Sequence, residues 1–256
     1  MQEPSALGRI VELVRDLRKR CPWDAAQTPQ TLRPYLVEEV MELDHALASG
    51  DAGQIRTELG DLLLHLSFQI VLGEEAGAFT CEDVTRTIER KMWRRHPHLF
   101  GQGEQPETWE RSKLDEGDAK RSVLDGLPAS LPALIMAVRL QERAGGVGFD
   151  WPDTDGPRKK VSEELSELES EIDGGGDRGR IEEEVGDLLF AVVNLARKTG
   201  CDPRAALEKA NARFLERFRK IEELAEERGI EMATAELEVL DRLWDEVKGE
   251  ERGAGS

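Results

Sequence analysis

Two short acidic patterns occur twice in this chain, in the same order and at nearly the same spacing. Glu38-Glu39-Val40-Met41-Glu42 returns 125 residues later as Glu163-Glu164-Leu165-Ser166-Glu167. Glu58-Leu59-Gly60-Asp61-Leu62-Leu63 returns 126 residues later as Glu184-Val185-Gly186-Asp187-Leu188-Leu189. A repeat of this length constrains the fold more than composition does, because each copy has to form the same supersecondary unit. Residues three apart on a helix lie about 60° apart around its axis, so each ExxE or ExxD projects two carboxylates from one face.

Apolar residues at spacings of three and four, beginning with Leu7, Ile10, Val11, Val14 and Leu17, predict an opening helix that stops at Cys21-Pro22. An ordered loop is expected over Trp23–Thr28, then helices over Thr31–Ser49, from Asp51 to about Gly77, and from Thr80 to about His96. Pro97–Pro106 reads as a loop and Leu124–Pro132 as a connector. The second half repeats the grammar, with helices expected over Ser130–Arg143, Arg158–Asp173, Arg180–Thr199, Pro203–Arg228 and Thr234–Lys248. Glu, Leu, Ala and Arg abound, while aromatics make up only 5% of the chain, which favours helix over sheet. The expected fold is all-α: two tandem, related helical-bundle domains over residues 1–121 and 131–249, a connector over 122–130 and a flexible tail over 250–256.

The 35 basic and 53 acidic residues leave a net charge of −18, which argues against DNA or RNA as the main partner because phosphate neutralisation needs a basic surface. Cys21, Cys81 and Cys201 form no CxxC pair, so neither a disulfide framework nor a thiolate zinc site is expected, and reducing cytoplasm is the natural compartment. The N-terminus lacks a basic region followed by an apolar run, and His65, Ser67 and Gln69 interrupt the most apolar stretch, so no membrane association is expected.

Glu-rich helices are ordinarily solvated faces. Here, however, both pairs recur in both halves, and each ExxD is set in apolar sequence, where an unpaired carboxylate is costly to bury. A short turn between successive helices would bring Glu39 and Glu42 toward Glu58 and Asp61, and Glu164 and Glu167 toward Glu184 and Asp187. Four converging carboxylates require protons or cations, and an all-oxygen donor set favours Mg²⁺ or Mn²⁺ over zinc. A di-iron bundle needs Glu-x-x-His on two helices, and among these pairs only Glu42 has a histidine, His45, three residues on.

This doubled pattern resembles the MazG-type nucleoside triphosphate pyrophosphohydrolases of the all-α NTP pyrophosphatase superfamily. Cys21-Pro22-Trp23-Asp24, Arg94-Arg95-His96-Pro97-His98, Leu131-Pro132-Ala133-Leu134, Val147-Gly148-Phe149-Asp150-Trp151 and Lys209-Ala210-Asn211 extend the likeness over nearly the whole chain. The resemblance implies hydrolysis of an NTP to NMP and pyrophosphate, Mg²⁺ held by Glu164, Glu167, Glu184 and Asp187, and a homodimer. It also draws attention to Lys160, Lys209, Asn211 and Arg213 as phosphate or nucleotide contacts, and to Trp244 as a base-stacking residue that would otherwise read as core. Arg180 and Arg217 are further candidate cations for the leaving group. Glu163 and Glu183, beside the metal ligands, are candidates to orient the attacking water or to support the ligands indirectly.

The halves are not equivalent. At the repeat spacing Tyr35 falls opposite Lys160 and Gln54 opposite Arg180, so the N-terminal set Glu39, Glu42, Glu58 and Asp61 is expected to bind cation with weak or no turnover. Narrower activity on dUTP, dCTP or phosphoribosyl-ATP, and a metal-dependent nucleotide-binding regulator without turnover, are the alternatives.

Overall fold

A computed structural model describes residues 5–101 and 122–254. Among them all regular structure is helical, and the chain divides into two compact units, Met1–Lys113 and Leu114–Ser256. The first unit contains α1 (Ala6–Arg20), α2 (Pro22–Ala25), α3 (Pro29–Ser49), α4 (Ala52–Glu75), α5 (Cys81–Arg95) and α6 (Pro97–Phe100). The second contains α7 (Ala133–Gly146), α8 (Asp155–Asp173), α9 (Arg178–Lys198), α10 (Pro203–Glu227) and α11 (Leu237–Ala254).

The repeat extends to the turns that fold each helix pair back on itself. Gly50 ends α3 in the left-handed region, and Asp51 then caps α4 by accepting from the N–H groups of Gly53 and Gln54. In the second unit Gly175 is left-handed (φ 68°) and Asp177 caps α9 by accepting from Gly179 and Arg180. A cap of this kind contributes about 1 kcal/mol, and its tight geometry fixes which faces of the two helices meet.

In the first unit Val11 and Val14 of α1, Leu32 of α3, and Phe68, Val71 and Leu72 of α4 form the core. Arg15 of α1 donates both Nε and Nη2 to Glu74 of α4, whose carboxylate also accepts from the Cys81 N–H at the start of α5. In the second unit the most buried cluster lies between α10 (Ile221, Ala225) and α11 (Leu243, Val247). The α8–α9 pair is tied to the segment before it by Asp150, which accepts from Arg197 and Lys198.

Several element boundaries differ from the sequence expectation. Trp23–Thr28 is not wholly a loop, because Pro22 starts a helical turn with its fixed φ at the first position. Pro97 does the same for the turn Pro97–Phe100 inside the expected loop Pro97–Pro106, whose residues 102–106 lie outside the described residues, as does the boundary at residue 121. Pro132 delays α7 to Ala133, and Pro157 fits within the first turn of α8, which begins at Asp155. The last helix continues to Ala254, into the segment read as a tail, since a lone Gly249 weakens a helix without ending it.

Candidate metal centre

In the first unit, carboxylate oxygens of Glu39 on α3 and of Glu58 and Asp61 on α4 lie within 4.8 Å of one another. In the second, the same holds for Glu164 on α8 with Glu184 and Asp187 on α9. Each set therefore combines one residue of the ExxE pattern with both of the ExxD pattern. Glu42 stands beside the first triad and acts on Glu39 and Glu58 through its charge, and Glu167 stands beside Glu164 of the second. Desolvation, then the charges of Asp61, Glu42 and Glu58, push the Glu39 carboxyl above the usual glutamate range. Desolvation followed by Glu42 and Asp61 raises Glu58, and desolvation followed by Glu164 raises Glu167. Carboxyls raised by one another are the electrostatic counterpart of a cation site, because a divalent ion would offset the repulsion that protons otherwise relieve. The donors are all hard oxygens, and they fit Mg²⁺ or Mn²⁺.

Lys160 sits against the second cluster. Its ammonium donates to Glu163 at 2.8 Å and lies 2.6 Å from Glu164 Oε1, and these contacts raise its pKa. Glu164 itself is buried, whereas Glu163, Glu167 and Glu183 are exposed. Arg180, at the first turn of α9, pairs with Glu171 of α8.

The remaining candidates sit on the α10–α11 pair. Lys209, Asn211 and Arg213 are exposed on α10. Trp244 packs against the α10–α11 core, with the Phe214 ring 5.4 Å away and the Arg217 guanidinium 5.8 Å from its ring centroid. The structure thus gathers Lys160 with the carboxylates and Arg217 with Trp244, and carries Lys209, Asn211 and Arg213 on a helix that packs chiefly on α11.

In the first unit Tyr35, the counterpart of Lys160, stacks on His65, with centroids 6.4 Å apart and planes inclined by 20°. His65 Nε2 lies 3.7 Å from Glu39 Oε1, and burial lowers the imidazole pKa. In the sequence His65 interrupts an apolar run and does not fall three residues after a glutamate of the paired motifs, so neither pattern points to this contact. Its spacing of four from Asp61 was the available signal. The Arg94–His98 motif forms a helix end: Arg95 is buried, and His96 Nδ1 lies 2.9 Å from the Met92 carbonyl oxygen.

Two helix pairs that each converge three carboxylates define a tandem all-α protein with an acidic cluster in each unit that could hold a metal ion. The model of the MazG nucleotide pyrophosphohydrolase domain matches the chain twice, over residues 27–100 and 157–228. The chain is 44% identical over 245 residues to the nucleoside triphosphate pyrophosphohydrolase/pyrophosphatase MazG of Thermotoga maritima, covering 94% of each chain. It is 40% identical over 260 residues to a nucleoside triphosphate pyrophosphohydrolase of Escherichia coli, covering 98% of this chain and 99% of that one. An uncharacterised Bacillus subtilis protein, YabN, is 41% identical over 249 residues, which span 94% of this chain and 51% of YabN. The chain belongs to the MazG nucleotide pyrophosphohydrolase family, and it is a hydrolase acting on acid anhydrides.

Proposed function

We propose that the protein hydrolyses nucleoside triphosphates, with ribose or deoxyribose, to the nucleoside monophosphate and pyrophosphate, in a Mg²⁺-dependent reaction that Mn²⁺ also supports. The C-terminal half, within residues 131–249, carries most of the turnover. The observation behind this assignment is the Lys160 ammonium 2.6 Å from Glu164, at the edge of the all-oxygen set Glu164, Glu184 and Asp187. The Thermotoga maritima and Escherichia coli relatives, both named as nucleoside triphosphate pyrophosphohydrolases, support the same substrate class.

Glu164, Glu167, Glu184 and Asp187 would hold the cation, whose bound charge offsets that of the phosphate oxygens. Lys160 exchanges its contact with Glu163 for a phosphate oxygen and stabilises the leaving pyrophosphate. Released from Lys160, Glu163 orients the attacking water and takes its proton, with Glu183 on the facing helix as the other candidate. The water oxygen bonds to the α-phosphorus while the bond from that phosphorus to the α,β-bridging oxygen breaks, and pyrophosphate departs with the bridging oxygen. Arg180, Lys209, Arg213 and Arg217 add positive charge, Asn211 hydrogen-bonds the nucleotide, and Trp244 stacks on its base. The N-terminal cluster Glu39, Glu42, Glu58 and Asp61 binds cation with weak or no turnover, because Tyr35 offers no charge for triphosphate.

The protein works as a homodimer in the cytoplasm. Val37, Val40 and Leu59 on one site pair, and Leu165, Val185 and Leu189 on the other, are exposed, and apolar faces of this kind support subunit pairing. No helix among the described residues is long and apolar enough to cross a membrane.

The test is product analysis by ³¹P NMR over a panel of NTPs and dNTPs that includes dUTP, dCTP and phosphoribosyl-ATP. Monophosphate plus pyrophosphate from several substrates is expected. Turnover of one member alone would narrow the assignment, nucleoside diphosphate plus orthophosphate would overturn the bond cleaved, and tight binding without product would make the protein a nucleotide-binding regulator.

A further inference from the structure

We propose that the second unit carries a further ligand site, a cavity lined from α7, α9 and the segment joining α7 to α8, which takes an uncharged nucleobase or nucleoside. The cavity measures about 520 Å³, within the range of small-molecule sites. Glu164, Glu184, Asp187, Lys160 and Trp244 do not line it, so it is separate from the metal centre and from Trp244.

Two polar side chains of the lining indicate the ligand's chemistry. Gln141 of α7 is only 5% exposed; its Nε2 donates to the Phe190 carbonyl oxygen at 2.9 Å, and its Oε1 is buried without a partner. Arg197 of α9 donates through Nη1 and Nη2 to Asp150, and through Nη2 to Asn194 Oδ1, which leaves its Nε buried without a partner. Buried polar atoms left unmatched are costly. One acceptor and one donor are matched by a ligand edge that presents an N–H beside a carbonyl oxygen or ring nitrogen, and every nucleobase has such an edge. Among the described residues, Asp150 and Arg197 are the charged groups of the lining, and they pair with each other, so the cavity suits an uncharged ligand. Phe149, Trp151 and Phe190 supply aromatic surface for a planar ring.

The first unit fills the corresponding positions. At the 126-residue spacing Phe68 falls opposite Asn194 and Val71 opposite Arg197, and both are buried in the core with Val11 and Val14 of α1. The duplicated framework therefore accepts apolar side chains here, and the fold does not require an amide and a guanidinium. Buried polar groups set beside an open volume serve recognition better than packing.

The test is calorimetric binding of uridine, cytidine, adenosine and guanosine to the full chain, with EDTA present so that the metal centre takes no part. At least one nucleoside is expected to bind, once per chain. Gln141→Leu, which removes the acceptor, should weaken that binding by about tenfold or more. Phe149→Ala, at a ring 83% exposed and therefore outside the core, should weaken it by about fivefold or more through lost stacking. Trp244→Ala should leave it within about twofold. Should Gln141→Leu fail to fold, Phe149→Ala and Overhauser contacts between the bound base and the Trp151 indole read the same site. Absence of nucleoside binding, or binding lost in Trp244→Ala and kept in Gln141→Leu, would overturn the inference. Two further results would overturn it by giving the cavity another occupant. A raised KM for an NTP in Gln141→Leu, with no nucleoside bound, would make it part of the substrate's own base site, and loss of self-association in Phe149→Ala, again with no nucleoside bound, would make it a surface between copies of the chain.

Discussion

The Lys160 ammonium lies 2.6 Å from Glu164, one helical turn further along α8. As a helix stabiliser this is the poorer arrangement, because a glutamate preceding a lysine by four residues is favoured over the reverse. Under the proposed function Lys160 serves the substrate rather than the helix, and the two roles separate experimentally. Replacing it by Met is expected to lower kcat/KM for an NTP by about tenfold to a hundredfold, as loss of a transition-state cation does. Thermal unfolding should move by no more than about 2 °C. A large loss of stability with unchanged turnover would make the contact structural.

The metal-free protein should gain stability as the pH falls from neutrality toward the ordinary glutamate value of about 4.3. Glu39, Glu58 and Glu167 have raised pKa values in the fold, so their contribution is fully present below the unfolded value and is lost as pH rises through the folded ones. Asp150, held down chiefly by its hydrogen bond to Arg197, and Glu75, held down by Arg18, act in the opposite sense. Their stabilisation is present above the unfolded values and is lost as pH falls through the folded ones. Differential scanning calorimetry should find a melting maximum on the acid side of neutrality that flattens when Mg²⁺ is added. A maximum that ignores Mg²⁺ would detach these shifts from cation binding.

Chelation should abolish turnover, and Mg²⁺ or Mn²⁺ should restore it. Ca²⁺ is expected to bind while supporting little activity, because its larger and more flexible coordination shell misaligns the reacting water. Steady-state assays on the stripped protein decide this, and full activity after exhaustive chelation would exclude a metal role.

Glu74→Ala should lower the unfolding free energy of the first unit by about 2 kcal/mol, since a charge-assisted pair between α1 and α4 and the Cys81 N–H contact are lost together. Glu12, the other partner of Arg15, has 63% of its side chain exposed, so Glu12→Ala should cost no more than about 0.5 kcal/mol. Urea titration of both variants checks the ranking.

The helix pairs were legible in the sequence because the repeated ExxE and ExxD spacings are properties of the backbone period, and Asp51 and Asp177 mark their turns. Side-chain rotamers were not legible. Glu39 and Glu164 enter the tight triads while Glu42 and Glu167 do not, a choice that the ExxE spacing leaves open. The Tyr35–His65 stack joins different helices and leaves no local pattern to read. The helical turns Pro22–Ala25 and Pro97–Phe100 are too short for apolar periodicity to reveal.

Division of labour between the two clusters is tested most directly by pyrophosphate release from Glu167→Ala and Glu42→Ala, each checked for native circular dichroism. Both residues stand beside a carboxylate triad, but only the second-unit cluster has Lys160 against it. Glu167→Ala is expected to lose turnover by about a hundredfold or more, and Glu42→Ala to keep most of it. The reverse ranking, with both variants folded, would contradict assignment of catalysis to the C-terminal half.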